Sequence, residues 1–187
     1  LGEDIVATRT QPPADLSAMD GYAVRASDCK TVPCELTLVG QSQAGRRFDG
    51  VLGPDEAVRI FTGAPLPDGA DSIIIQENTE RDGADARVRI LTAAEQGRHI
   101  RKAGIDFRAG EVGLTSGRRL GPADIALAAA MNVPTLPVWR RPVIAFFSTG
   151  DELVPPGAQL GPDQIVSSNN AALDAMIRAA GGEPLDL

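Results

Sequence analysis

The sequence is poor in the residues from which metal and nucleophilic sites are usually built. Its 187 residues include one His and two Cys, Cys29 and Cys34. A structural zinc site needs four Cys or His ligands, so the chain lacks a set for one. It also offers no pairing of Ser or Cys with His of the kind that activates a nucleophile. We expect two reduced thiols; a redox pair five residues apart is the alternative.

Aromatic residues and long apolar runs are also scarce. Aromatics make up 4% of the chain against 43% hydrophobic residues, so the core must consist mainly of Ile, Leu, Val and Ala. No apolar run approaches the roughly 20 residues that a membrane-spanning helix needs. The first residues do not form a secretion signal, and there is no initial Met. We therefore expect a cytoplasmic segment of a longer protein, without membrane contact.

Basic residues are fewer than acidic residues. The formal net charge is −7, and Lys30 and Lys102 are the only lysines. Non-specific nucleic-acid binding depends on neutralising phosphates, so an acidic chain argues against it. An anionic ligand would have to be held by local Arg, backbone N–H groups or a bridging cation.

Up to about Arg140, the sequence predicts a β-rich region. Short alternating or apolar segments at 34–40, 56–61, 72–76 and 86–91 predict strands, and turn signals such as Asp82-Gly83 separate them. One helix is predicted to begin at Pro122 and to stop before Pro134. Its small face is predicted to pack close to another element and comprises Ile125, Ala128, Ala129 and Asn132.

After Arg140 the pattern changes to that of a parallel α/β sheet. Residues 143–147 are continuously apolar, which is typical of a strand covered on both faces. A Pro- and Gly-rich loop, a helix and a second strand at 184–187 follow, which is the opening unit of such a sheet. The predicted domains are therefore 1–140, β-rich, and 141–187, the incomplete start of an α/β domain.

The phrase at 148–153 follows the apolar strand, at the edge where open α/β sheets bind ligands. Thr149 and Gly150 can present N–H groups and a hydroxyl to an oxyanion. Asp151 and Glu152 can hold Mg²⁺ together with substrate phosphate oxygens. A turn with a capping Asp is the alternative, and we favour the functional interpretation.

Three other segments are ambiguous when each is taken alone. Asp20-Gly21 is a hairpin turn signal. The loop at 59–67 contains two prolines that would hold Thr62 and its neighbours rigidly, either for binding or for folding. Residues 167–170 are best explained as caps of the following helix, although the same helix start could take a phosphate.

Taken together, four ordered phrases resemble the MoeA family, the molybdopterin molybdenumtransferases that include the gephyrin E domain. They are S-A-M-D-G-Y-A at 17–23, R-I-F-T-G-A-P-L-P at 59–67, I-R-K-A-G-I-D at 100–106 and S-T-G-D-E-L at 148–153. The resemblance implies a β-rich N-terminal region of short, bent sheets. It also implies that the start of a three-layer α/β domain follows, similar to MoaB and Mog proteins.

The resemblance also implies an activity. Family members insert molybdenum from molybdate into adenylylated molybdopterin, use Mg²⁺ and release AMP. It assigns catalytic roles to Asp20, Thr62, Asp106 and Glu152, and the metal to Asp151 and Glu152. It assigns cofactor binding to Ser148, Thr149, Gly150, Ser168 and Asn169. It further implies a homodimer whose site is shared between subunits, and a MogA-type partner.

Two positions depart from the family pattern. Ile105 stands beside Asp106 where the family usually has an acid, and Ser167 stands where an Asp is usual. We expect these 187 residues alone to be inactive. The alternatives are a non-catalytic scaffold or dimerisation module on the same fold, and an unrelated nucleotide-binding α/β hydrolase. Preference for molybdenum or tungsten does not follow from the sequence.

Overall fold

A computed structural model describes residues 1–81 and 86–187 of the chain. The predicted turn at Asp82-Gly83 lies outside the described residues. The chain forms two compact units: one consists of Leu1 with Glu3–Leu136, and the other of Gly2 with Pro137–Leu187.

The first unit is built from short strands with few helices. Its strands are β1 (Ile5–Val6), β2 (Leu16–Ser17), β3 (Gly21–Val24), β4 (Cys34–Ser42), β5 (Glu56–Ile60), β6 (Ser72–Ile75), β7 (Thr79–Glu80), β8 (Arg87–Ile90), β9 (Ile100–Arg101) and β10 (Val112–Leu114). Short 3₁₀ turns occur at Ala26–Cys29 and Gln76–Asn78, and helix α1 spans Pro122–Ala130. The prediction of a β-rich region is confirmed.

A six-stranded mixed sheet organises this unit, in the order β6-β3-β5-β4-β8-β7. Strand β3 pairs antiparallel with β5 and β6, whereas β4 and β5 are parallel. Alternating side chains place one buried cluster on each face, as the period of two in a strand requires. One cluster includes Tyr22, Val24, Leu36, Val88 and Ile90, and the other includes Ala23, Val58, Ile60 and Ile73.

Both cysteines lie at the first of these clusters. Cys29 is fully buried, Cys34 is partly buried, and both are free thiols, as expected. Burial raises the pKa of the Cys29 thiol to about 12, with the neighbouring Cys34 adding to the shift. The Cys29 thiolate is therefore scarce at neutral pH, which disfavours redox chemistry.

A third cluster lies beside α1, where β1 pairs with β10. The helix begins at Pro122 as predicted, and the Asp124 carboxylate accepts the Gly121 N–H at 2.9 Å. The predicted packing face is wrong in part, because Ile125 is 51% exposed while Ala128 and Met131 are buried. Met131 follows the last helical turn and packs against the strand residue Gly113, a contact that helical periodicity does not encode.

The second unit is a β-loop-α-β arrangement. Its elements are β11 (Val143–Phe146), β12 (Leu153–Val154), β13 (Ile165–Val166), α2 (Ser168–Ala180) and β14 (Glu183–Asp186). Strands β11 and β14 are parallel, with α2 between them in sequence, as predicted. The expectation that β11 is covered on both faces is not met in this chain, since Val143 is 62% and Ile144 40% exposed.

Candidate functional site

Asp20 and Thr62 form the centre of the candidate site in the first unit. Gly21 begins β3 and lies opposite Ile60 at the end of β5, so the residues just outside the two strands are neighbours. The Asp20 Oδ1 accepts hydrogen bonds from the Thr62 N–H and the Thr62 hydroxyl, both at 2.8 Å. Two motifs 42 residues apart are thereby joined at one carboxylate oxygen.

These two hydrogen bonds keep Asp20 ionised. The Thr62 N–H is the largest cause of the lowered Asp20 pKa, and the Thr62 hydroxyl is the next. Desolvation raises the pKa, and the positive charge of Arg59 lowers it by a smaller amount. Within residues 1–81 and 86–187, no hydrogen bond engages the second oxygen, Oδ2. The site therefore offers an oriented anion with one oxygen free for a ligand or metal.

Close strand packing fixes the position of Asp20. Gly21 is buried against β6, and a Cβ at this position would collide with the Ile74 carbonyl oxygen and lie 2.9 Å from the Ile75 Cα. The Asp20 carbonyl accepts the Gln76 N–H at 3.1 Å just beyond β6. Glycine is therefore required because two backbones pass close together, not only because Asp-Gly favours turns.

Arg59 contacts the residues that flank Asp20 and Thr62. Its guanidinium lies 5.1 Å from the Tyr22 ring centroid and 4.8 Å from that of Phe61. It donates to the Gly21 carbonyl at 2.9 Å and to the Gln76 Oε1 at 2.7 Å. Sequence reasoning assigned no role to Arg59; the signal was its position at the start of the 59–67 phrase, two residues from an aromatic side chain.

The loop after Thr62 is held by β2. The Gly63 N–H donates to the Ser17 carbonyl at 2.8 Å, and the Ser17 N–H donates to the Ala64 carbonyl at 2.9 Å. Gly63 has a φ of +79°, a conformation that glycine adopts without strain. The loop predicted to be rigid from its two prolines is thus also hydrogen-bonded to the segment that carries Asp20.

Asp106 belongs to the same unit but is engaged elsewhere. Its carboxylate accepts both hydrogen bonds from the Arg101 Nη2, at 2.8 and 3.0 Å. Arg101 lies in β9, which pairs with β2 next to Ser17. The structure therefore brings the three N-terminal motifs together through backbone pairing, while the Asp106 carboxylate has its own partner. Ile105, at the departing position, is 61% exposed.

The second unit carries the remaining predicted residues, and two of them line a cleft of ≈ 670 Å³. Ser148 and Gly150 line it, just beyond the end of β11. Gly150 has a φ of +149°, and the Glu152 carboxylate folds back so closely that a Cβ at residue 150 would lie 2.5 Å from the Glu152 Oε2. Thr149 and Asp151 are exposed in the same loop.

Two residues that sequence reasoning did not select as site residues, Asn170 and Asp186, organise this cleft. The Asn170 Oδ1 accepts hydrogen bonds from the Ser148 and Ser167 hydroxyls. The Asn170 Nδ2 donates to both oxygens of Asp186, at 3.0 and 3.1 Å. The polar cluster at 167–170 was a signal for Asn170, whereas nothing in the sequence singled out Asp186.

Predicted residues Ser168 and Asn169 lie on the first turn of α2. Both are exposed, and neither is among the residues that line the cleft, whereas their neighbours Ser167 and Asn170 are. The capping interpretation of this cluster is wrong for Ser167: it occupies the N-cap position but its side chain makes no capping hydrogen bond. Its hydroxyl is used by Asn170 instead.

Comparison with known proteins identifies the family. Residues 1–132 match the family described as "MoeA N-terminal region (domain I and II)". The chain belongs to the MoeA family.

Known MoeA proteins resemble the chain along its whole length. It is 41% identical over 189 residues to the molybdopterin molybdenumtransferase of Nostoc sp., covering 99% of this chain and 43% of that protein. It is 44% identical over 185 residues to molybdopterin molybdenumtransferase 2 of Mycobacterium tuberculosis, covering 97% of this chain and 45% of that protein. The crystal structure of a molybdopterin biosynthesis MoeA protein from Pyrococcus horikosii superposes with a TM-score of 0.87 at 39% identity, covering 99% and 48%. The chain thus spans less than half the length of these relatives.

The MoeA resemblance implies Mg²⁺, and the oxygen donors of one loop fit such an ion in part. The part of the chain that the structure describes contains no group of three or more His, Cys, Asp or Glu placed to hold a metal. However, Mg²⁺ is usually held by only one or two carboxylates together with substrate phosphates and water. Asp151 and Glu152 supply that number, and the missing Cβ of Gly150 leaves the space that the Glu152 carboxylate occupies.

Neither α1 nor α2, the α-helices of the described residues, is long and apolar enough to cross a bilayer.

Proposed function

We propose that the full-length protein inserts molybdenum from molybdate into adenylylated molybdopterin and releases AMP, as a step of molybdenum cofactor biosynthesis. Membership of the MoeA family and relatives named molybdopterin molybdenumtransferase support this activity. The observation that carries it is the Asp20–Thr62 pair, because two distant motifs build one oriented, ionised carboxylate with an oxygen left for a ligand.

We further propose that each site combines groups from two subunits of a homodimer. Asp20 and Thr62 come from the β-rich region of one subunit, and Asp151 and Glu152 from the α/β domain of the other. In this proposal residues 1–140 form the β-rich region and 141–187 the start of a three-layer α/β domain. The protein acts in the cytoplasm, with a MogA-type protein as its partner.

In this arrangement the chain positions charged groups around the substrate, and none of its own groups leaves in the reaction. The loop at 148–150 presents the Thr149 hydroxyl and backbone N–H groups to a phosphate oxygen, while Glu152 and Asp151 hold the cation. Mg²⁺, when bound there, withdraws charge from the phosphoanhydride and lowers the pKa of bound water. Asp20, held by Thr62, orients a water through its second oxygen, and Asp106 stabilises its segment through Arg101. No protein nucleophile is required.

The direct test substitutes Asp20→Asn and Glu152→Gln separately in the full-length protein and measures molybdenum insertion. We expect each folded variant to lose at least about 100-fold in rate, the size of a typical general acid–base or charge-stabilising contribution. Binding of adenylylated molybdopterin should persist in the Asp20 variant. Wild-type activity in both variants would exclude these roles, and failure of the wild-type protein to bind the adenylylated substrate would instead favour a scaffold.

A further inference from the structure

The cleft of the second unit has a chemically divided lining. A continuous apolar wall is formed by residues 153–156, which read Leu-Val-Pro-Pro, and Phe146 and Leu187 add to it. The polar residues Ser148 and Asp186 lie at the ends of the two parallel strands, and Asn170 lies on the first turn of α2. A volume of ≈ 670 Å³ falls within the range of ligand pockets, which are mostly apolar with few placed polar groups.

The Asp186 carboxylate is held in a fixed orientation. Asp186 ends β14 and pairs in register with Phe146 at the end of β11, so it faces the edge where parallel sheets bind ligands. Asn170 donates one amide group to both carboxylate oxygens at 3.0 and 3.1 Å. Because the Ser148 and Ser167 hydroxyls occupy the amide oxygen of Asn170, its NH₂ group must face Asp186.

This carboxylate has acceptor capacity to spare, and no described residue of the cleft lining places a cation beside it. An ionised carboxylate offers about four lone-pair positions, and Asn170 uses only part of them. Among the described residues that line the cleft, none is Arg or Lys. The other acid of the lining, Asp174, is instead bonded twice by Arg178, at 2.8 and 3.1 Å.

We propose that Asp186, positioned by Asn170, is the residue that recognises the 2-aminopyrimidin-4-one edge of the pterin ring, an inference that rests on the proposed function. That edge presents a ring N–H and an amino N–H. Because the Asn170 Nδ2 already lies between the two Asp186 oxygens, the amino N–H donates to an outer lone pair of one oxygen, as a charge-assisted hydrogen bond. The apolar wall packs against the ring face. Repulsion by Asp186 directs the anionic phosphate and dithiolate end away, towards the hydroxyl and backbone donors of the loop at 148–150.

The test compares two ligands on the full-length protein: pterin, and lumazine, in which an oxo group replaces the 2-amino group. Fluorescence titration should show that the wild-type protein binds pterin roughly tenfold more tightly than lumazine, the ratio for one charge-assisted hydrogen bond in an open cleft. Asp186→Asn should abolish or reverse this preference, because a carboxamide presents one acceptor and one donor and so matches lumazine. Asn170→Ala should reduce the preference, since Asp186 loses its orientation.

Asp174→Asn is the matched control. It removes the same charge from the same cleft, but from a carboxylate already bonded to Arg178, so the ratio of pterin to lumazine affinity should stay unchanged. A thermal unfolding midpoint equal to that of the wild type shows that a variant retains the fold.

Four outcomes would overturn the inference. Equal affinity of the wild-type protein for the two ligands does so without any substitution. An unchanged preference in folded Asp186→Asn does so as well. Binding of adenylylated molybdopterin by wild-type protein and Asp186→Asn with equal affinity refutes the inference while leaving the proposed function intact. If the wild-type protein binds neither pterin nor adenylylated molybdopterin, the proposed function fails with it.

Discussion

Replacement of Gly21 by Ala tests how the strands position Asp20. The new Cβ would overlap the Ile74 carbonyl oxygen and lie 2.9 Å from both the Ile74 carbonyl carbon and the Ile75 Cα. Since carbon atoms pack at about 3.5–4.0 Å, β3 and β6 would have to separate by roughly 1 Å. A shift of that size lengthens the hydrogen bonds between the strands beyond their usual range of about 2.7–3.2 Å.

The expected effect is a loss of stability. Overpacking of this kind costs about 1–3 kcal/mol, so the midpoint of thermal unfolding should fall below the wild-type value. At an open position the same substitution would stabilise by about 0.4–1 kcal/mol, because Ala restricts the unfolded chain. The sign of the change therefore separates the two cases.

Thermal unfolding followed by circular dichroism measures the change in the full-length protein. Gly161→Ala is the control, because its Cβ would meet only the flexible Gln164 side chain, at 3.3–3.8 Å. Its midpoint should stay within about 2 °C of the wild-type value, as expected for a surface substitution. A Gly21→Ala protein as stable as the wild type would refute the close approach of β3 and β6.

Three further changes probe other contacts. Thr62→Val removes the hydroxyl donor but keeps the N–H, so the Asp20 pKa, measured by carboxyl NMR, should rise towards its ordinary value; no change would exclude the hydroxyl hydrogen bond. In the wild type this lowered pKa stabilises the fold above the pKa of Asp20 in the unfolded chain, and the benefit is lost as pH falls through the folded pKa. Met131→Ala, at a fully buried side chain, should reduce the free energy of unfolding by about 2–5 kcal/mol in urea titration, and a loss below about 1 kcal/mol would contradict the packing described for α1. Gly150→Ala should displace the Glu152 carboxylate and weaken Mg²⁺ binding, which calorimetry measures with adenylylated molybdopterin present. Gly157→Ala is the control, because its Cβ would meet nothing within 4 Å, so it tests whether backbone strain alone weakens Mg²⁺ binding.

Strands and the start of α1 could be predicted from local patterns, because alternation and proline position act within a few residues. The four segments predicted as strands in the β-rich region are strands β4, β5, β6 and β8. The order of the sheet could not be predicted, since β4 and β5 follow one another along the chain and yet pair in parallel, a topology that local patterns do not encode. The face of α1 was misjudged for the same reason: Met131 packs on Gly113, a residue that helical spacing does not connect to it.

The motifs indicated which segments carry the site, but not which atoms meet. Sequence reasoning selected Asp20 and Thr62 separately, and only the structure places both donors of Thr62 on one oxygen. Asn170 and Asp186 were not selected as site residues because capping explains a polar helix start and because an Asp at a strand end carries no local signal. Their pairing joins the first turn of α2 to the end of β14, 16 residues further along the chain.

Complementation between two inactive variants tests the shared site most directly. Asp20→Asn and Glu152→Gln subunits, each inactive alone, are co-expressed as full-length chains and assayed for molybdenum insertion. If each site takes Asp20 from one subunit and Glu152 from the other, every mixed dimer keeps one intact site, and the mixture should recover about a quarter of the wild-type rate. If both residues of a site belong to one subunit, every site in the mixture lacks one of them, and a mixture that stays inactive although mixed dimers have formed contradicts the account.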